Sequence, residues 1–177
     1  MKYSVFIIIV FLFISSCSKT AARRPINLKP STTIYEEAIE KTKLINTTIN
    51  KQITSYINND SLTSYIQSSE GFWYTYITKI AKDSPLPAAG DEVTFTYNIQ
   101  SLEGVLIYTK DELGIKNYTV DKEDFISGLQ KGIKLMKEGE TVTFILPAYS
   151  AYGILGDQQR IGTNQSIKST VTLIKIK

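Results

Sequence analysis

The sequence predicts an α+β fold, a set of antiparallel strands with one short helix late in the order. Three observations carry this. Residues 91–104, DEVTFTYNIQSLEG, put Val93, Phe95, Tyr97 and Ile99 on one face and Thr94, Thr96, Asn98 and Gln100 on the other, as a half-buried antiparallel strand does. Strand composition, aromatic and β-branched, recurs at residues 72–80, 141–147 and 166–176. Between them, FISGLQKGIKLMKEGE at residues 125–140 changes to helical spacing.

The chain opens with Lys2 and the apolar run VFIIIVFLFI at residues 5–14. Such a run is half of the roughly 20 residues that a membrane span needs, and it fits the apolar core of a signal peptide. It ends in ISSC, residues 14–17. Small residues directly before a cysteine resemble a bacterial lipobox. That resemblance implies a signal peptide over residues 1–16 and a lipid on Cys17, where the bland alternative is a stray buried thiol. Cys17 is the only cysteine, so the rest of the chain has no disulfide and no thiol nucleophile. Histidine is absent, which excludes Ser-His-Asp and Cys-His catalysis and nearly every zinc site. No EF-hand spacing occurs. The net charge of +3 is no electrostatic footprint for nucleic acid. Neither a metal nor a cofactor is expected.

Residues 17–33 read as a tether, with two prolines and with Lys19, Arg23, Arg24 and Lys29 unopposed by acids. Beside a lipid anchor this charge would face lipid headgroups; a soluble basic linker is the alternative. A helical segment fills residues 34–70. Thr33 with Glu36 forms a capping-box pattern. Ala38, Thr42, Ile45, Ile49, Ile53 and Tyr56 then make a narrow stripe. Such a stripe packs on its own domain, on a partner, or on a second copy as a homodimer arm. INNDS at residues 57–61 ends the helix, and a short helical turn is expected over residues 61–67. From Phe72 the strand pattern begins, with a return at Glu103-Gly104 into VLIY, residues 105–108, and a loop from Ala148 to Gln165 before the closing strand.

The helix at residues 126–136 poses a question. Gly128 and Gly132 lie four apart, on one face. A glycine inside a helix costs about 1 kcal/mol against alanine. A helix this short is held by packing rather than by propensity. Ile126, Leu129, Ile133 and Met136 form its apolar face, and bare glycines beside that face would let it sit close against a sheet. Gly139 is the expected helix stop.

At this point residues 72–177 resemble FKBP-type peptidyl-prolyl cis-trans isomerases. The matching segments are GDEVTFTY, FISGLQKGIKLMKEGE, FILPAYSAYGILG and IGTNQSIKSTVTLIKI, in that order. The resemblance implies a curved antiparallel sheet wrapped around the short helix, with a ligand pocket between them, in a domain over residues 71–177. It implies catalytic roles for Tyr97 on the wall, Phe125 and Ile126 at the helix start, and Tyr152 on the loop. The Ile126 N–H would bond a substrate carbonyl. It also implies substrate-binding roles for Ile107, Tyr108, Tyr118, Leu129 as floor, Ile161 as rim, and Ser169. Several of these depart from the family pattern. Leu129 stands where a Trp is usual, Ile107-Tyr108 where Phe-Asp is usual, Gly162-Thr163 for Pro-Pro, and Ser169 for Phe. Ser169 is odd by itself, a polar residue on an apolar face between Ile167 and Val171.

The front of the chain narrows the resemblance. A lipobox, ARRPI, a polar helix and GFWYTY together resemble the gliding-motility-associated FKBP-type lipoproteins of Bacteroidota. This implies a periplasm-facing lipoprotein, of the outer membrane by its Ser18, that assists exported proteins of the gliding and secretion machinery. DSL at residues 60–62 resembles an O-glycosylation site of that phylum; a plain turn is the alternative. Two functions compete. One is an isomerase acting on proline-containing polypeptide clients. The other is a catalytically weak binding module or chaperone on the same fold, favoured by the changes at Ile107, Tyr108, Leu129 and Ser169.

Overall fold

The computed structural model describes residues 31–81 and 83–177. The leader, Cys17 and most of the tether lie outside the described residues. The chain divides into two compact units, residues 1–39 and 40–177. The described part of the first is the opening of helix α1 (Ser31–Asn59). Because α1 starts at Ser31, Thr33 lies within its first turn and is not the N-cap that its spacing to Glu36 suggested. Among the described residues no helix is long and apolar enough to cross a membrane.

The second unit is built on an antiparallel sheet of eight strands among the described residues. They are β1 (Ile66–Gln67), β2 (Trp73–Thr78), β3 (Glu92–Tyr97), β4 (Ile99–Ser101), β5 (Leu106–Tyr108), β6 (Lys116–Thr119), β7 (Thr141–Leu146) and β8 (Ile167–Ile176). Their order is β1-β2-β7-β8-β3-β6, with β4 also on β8 and β5 on β4. The long β8 therefore lies between β7 on one side and β3 and β4 on the other. Register shifts at residues 76–78, 94–95 and 99–100 mark bulges, which bend strands and raise their twist.

Residues 91–104 form two strands rather than one, broken at Asn98. The break is stitched to β8. The Asn98 N–H donates to the Thr170 carbonyl at 3.2 Å, the Thr170 N–H donates to Asn98 Oδ1 at 2.9 Å, and the Ser169 hydroxyl donates to the Asn98 carbonyl at 2.7 Å. In place of a helical turn over residues 61–67 there is a turn at Asp60, whose carboxylate accepts from the Leu62 N–H and the Tyr65 hydroxyl, followed by the edge strand β1. Two further elements have no counterpart in the sequence reading. Helix α2 (Lys110–Leu113) is closed by a capping box between Thr109 and Glu112, and β6 pairs with β3.

The sheet is covered on both faces. On the inner face, helix α3 (Ser127–Ile133) buries Leu129 and Ile133 against Phe95, Val142, Phe144 and Val171. On the outer face, Ile49 and Ile53 of α1 meet Ile145 and Ala148, with Ile45, Tyr56 and Trp73 packed around them. Alternation along β7 divides its side chains accordingly, Phe144 and Leu146 inward and Ile145 outward. The stripe on α1 thus packs on its own domain from Ile45 to Tyr56, whereas Ala38 and Thr42 are exposed. The expected border at residue 71 falls inside the second unit.

The glycines have a steric reason. A Cβ on Gly132 would lie 2.6 Å from Phe144 Cε1, and one on Gly128 would lie 2.7 Å from Leu146 Cδ2 and 2.9 Å from the Ser150 carbonyl oxygen. The helix rests against β7 with no room for a methyl group. It ends at Ile133, earlier than expected, and Gly139 (φ +86°) serves the turn into β7, where its N–H donates to the Leu173 carbonyl at 2.8 Å.

Candidate functional site

Nine of the ten pocket residues singled out from the sequence come from five separate elements, and the tenth, Ser169, lies on β8. Strand β3 supplies Tyr97, β5 supplies Ile107 and Tyr108, β6 supplies Tyr118, α3 and its approach supply Phe125, Ile126 and Leu129, and the loop before β8 supplies Tyr152 and Ile161. All nine belong to, or pack against, the inner core.

Phe125 is the centre of this group. Its ring lies 5.5 Å from Tyr97 at 83°, 5.5 Å from Phe95 at 70°, and 5.9 Å from Tyr118. Edge-on pairs of this kind are the favoured aromatic geometry. Phe95, read from the sequence only as a strand residue, is therefore part of the wall. Tyr97, Tyr118, Leu129 and Ile161 are buried, whereas Ile107, Tyr108, Phe125, Ile126 and Tyr152 are half-buried. The buried set forms wall and floor, and the half-buried set forms the edge.

The start of α3 is fixed from both sides. Gln130 Nε2 donates to the Phe125 carbonyl at 3.1 Å, and the Ser127 hydroxyl donates to the Ser150 carbonyl at 3.1 Å. The second bond ties α3 to the 3₁₀ turn Ala148–Ser150, which leads into Tyr152. The Ile126 N–H has no acceptor among the described residues, as expected of a first-turn donor. The hydroxyls of Tyr97 and Tyr152 likewise make no hydrogen bond among the described residues. Burial raises the Tyr97 pKa. Burial, then the nearby Tyr97, Asp157 and Tyr108, raises that of Tyr152 further. Both hydroxyls stay protonated donors at neutral pH.

Two expectations change here. Ser169 is completely buried, and its hydroxyl is committed to Asn98, so it serves the β3–β4 break rather than a substrate. The Tyr108 hydroxyl donates to Asp157 Oδ2. The bond raises the Tyr108 pKa and takes its hydroxyl away from any substrate. Asp157, Arg160 and Glu112 were missed from the sequence. Asp157 sits in GDQQR, where an Asp followed by loop residues signals a side-chain-closed turn. Nothing local announces its partner Tyr108, 49 positions away.

The arrangement is a cluster of aromatic rings with unpartnered hydrogen-bond donors at its edge. Residues 84–174 match the family model described as FKBP-type peptidyl-prolyl cis-trans isomerase. A protein of Neisseria meningitidis serogroup B, described as a probable FKBP-type peptidyl-prolyl cis-trans isomerase FkpA, is 30% identical over 90 residues, 51% of this chain and 33% of that protein. The chain thus matches about a third of the length of that curated relative. The fold is similar to the crystal structure of FkpA from Escherichia coli, with a TM-score of 0.61, 18% identity, and coverage of 100% of this chain and 83% of that one. It is also similar to a peptidyl-prolyl cis-trans isomerase from Pseudomonas syringae, with a TM-score of 0.59, 18% identity, and coverage of 74% of this chain and 95% of that one. At such identity the two structures speak to the fold, and the family match spans the strands, α3 and the loop that carry these residues. The chain belongs to the FKBP-type peptidyl-prolyl cis-trans isomerase family.

Proposed function

We propose that this protein catalyses rotation about X–Pro bonds of polypeptide clients in the hollow between α3 and the sheet. The observation that carries the reading is the unpartnered donor set, the Ile126 N–H and the Tyr97 and Tyr152 hydroxyls, around the Phe125 ring cluster. The barrier to rotation, about 18–20 kcal/mol, comes from amide resonance. Rotation breaks no covalent bond, so neither acid nor base is needed. A dry aromatic hollow removes the water that stabilises the planar, more polar amide. The Ile126 N–H holds the substrate carbonyl and Tyr152 donates to the amide as it twists. Contacts made better in the twisted state than in the planar one lower the barrier. Tyr97, Phe125 and Tyr118 act as wall, Leu129 as floor, and Ile107 and Ile161 as rim.

The test is the isomerisation rate of proline peptides, read without a coupled protease, for the chain starting at Ser18. Tyr152→Phe and Phe125→Ala are each expected to lower kcat/KM by about tenfold or more, the equivalent of one lost transition-state contact. No acceleration by the unaltered protein, on peptides varied before proline, would reject catalysis and leave a module that holds clients. The finer reading is a lipoprotein. The apolar run and small residues before Cys17 support a lipid there and a periplasm-facing location, and Ser18 after the cysteine supports the outer membrane. The resemblance of the front of the chain to gliding-associated lipoproteins supports exported proteins of that machinery as clients.

A further inference from the structure

We infer that Asp157 is a positioning residue, a latch that ties the loop bearing Tyr152 and Ile161 to strand β5 across the mouth of the hollow. The inference rests on the isomerase reading above. The two oxygens of Asp157 have separate tasks. Oδ1 accepts the N–H groups of Gln159, Arg160 and Ile161 at 2.9, 2.9 and 2.7 Å, folding the loop upon itself. Oδ2 accepts the hydroxyl of Tyr108 and joins that folded loop to the opposite wall. The backbone closes the same turn, where the Asp157 N–H donates to the Ile161 carbonyl at 3.2 Å.

Arg160 follows the same path. Its Nη1 donates to the Ile107 carbonyl at 2.9 Å and meets Glu112 Oε1 at 2.8 Å, while its guanidinium lies 4.7 Å from the Tyr108 ring centre. Glu112 in turn accepts the Thr109 N–H at 2.8 Å through its other oxygen. Loop, β5 and α2 therefore carry a chain of alternating charge. The Arg160 and Glu112 side chains are about half exposed, so their ion pair alone is weak. The half-buried Asp157–Tyr108 bond is the link closest to the hollow. A loop is the part of a fold that opens most easily, and selective binding of a twisted amide needs its donor held within about an ångström. Ile161 is buried only because the loop is folded down, and Tyr152 lies five positions before the latch.

Asp157→Asn and Tyr108→Phe separate the two tasks. Asn keeps Oδ1 as an acceptor for the loop amides but replaces Oδ2 with an NH₂ group that cannot accept the tyrosine hydroxyl. Phe removes the hydroxyl and leaves the ring under Arg160. Each variant is expected to lower kcat for an X–Pro peptide about fivefold with KM nearly unchanged, the pattern of a contact that serves the transition state. The double variant is expected to lose no more than either single one, because both break the same bond. Amide hydrogen exchange over residues 153–162 is expected to quicken in all three. Unchanged kcat with unchanged exchange, or a double variant whose loss is the product of the two single losses, overturns the inference. If the unaltered protein isomerises no peptide, the isomerase reading fails on its own. The exchange arm then decides the latch: faster exchange in both single variants sustains it, and unaltered exchange removes it.

Discussion

Asp157 titrates according to the contacts that surround it. Partial burial pushes its carboxyl up, but the Tyr108 hydroxyl and the amides of Ile161, Gln159 and Arg160 together outweigh this and bring it to about 2. An aspartate with a native pKa below its unfolded value near 3.9 adds stability above that value and loses it as pH falls through the native one. The melting temperature of the protein is therefore expected to exceed that of Asp157→Asn by a constant margin from about pH 5 to pH 8, with the margin closing towards pH 2. Glu112, also held near 2 by the Thr109 N–H and then by Arg160, titrates in the same window. It is present in both proteins and cancels in the comparison. Circular dichroism melts across the range would show it, and a margin that survives intact at pH 2 would refute this account of the carboxylate. Ser169 teaches the complementary lesson. Its polarity on an apolar face was visible in the sequence, but its purpose, a bond to the Asn98 carbonyl across the strand break, required the partner strand.

At the scale of the element, α3 shows how a local cost is set by a neighbour. Gly132→Ala would gain about 1 kcal/mol of helix propensity. It would also drive a methyl group to 2.6 Å from Phe144, whose ring is braced by Phe72 at 5.8 Å and by Tyr74 at 6.4 Å. Overpacking of this kind costs about 1–3 kcal/mol, so a net loss of about 1 kcal/mol is expected, read as a lower urea midpoint at unchanged slope. A stabilised Gly132→Ala protein would mean that α3 does not press on β7 this closely. The other elements divide by length. The strands at residues 72–80, 91–104, 141–147 and 166–176 were legible because several alternating or β-branched residues repeat one signal. The T-K-D-E capping signature at residues 109–112 was present, yet a four-residue helix has no period to read. Strand β6 has one buried side chain, Tyr118, and owes its conformation to pairing with β3.

At the scale of the whole molecule, the leader and Cys17 make their own prediction. If Cys17 carries a lipid, Cys17→Ser moves the protein from the membrane fraction to the soluble fraction of its native host and removes labelling by a radioactive fatty acid. Retention in the membrane without label would refute the lipid reading. One acyl chain binds only marginally, which is why a basic stretch such as residues 19–29 would matter beside it. By itself the sequence determined the strand-rich class, the short helix pressed near a sheet and the family, while the grouping of Tyr97, Phe125, Ile126, Leu129 and Tyr152 was what the family resemblance implied. These rest on periodicity and on motifs, which lie within short windows of chain. Only the tertiary structure decided that α1 covers the outer face through Ile49 and Ile53, that Phe125 stands among three rings, and that Tyr108 gives its hydroxyl to Asp157. Apart from the Tyr118–Phe125 pair, each of those is a meeting of side chains tens of positions apart. No local pattern encodes such a meeting, because it depends on strand register and on the path of a loop.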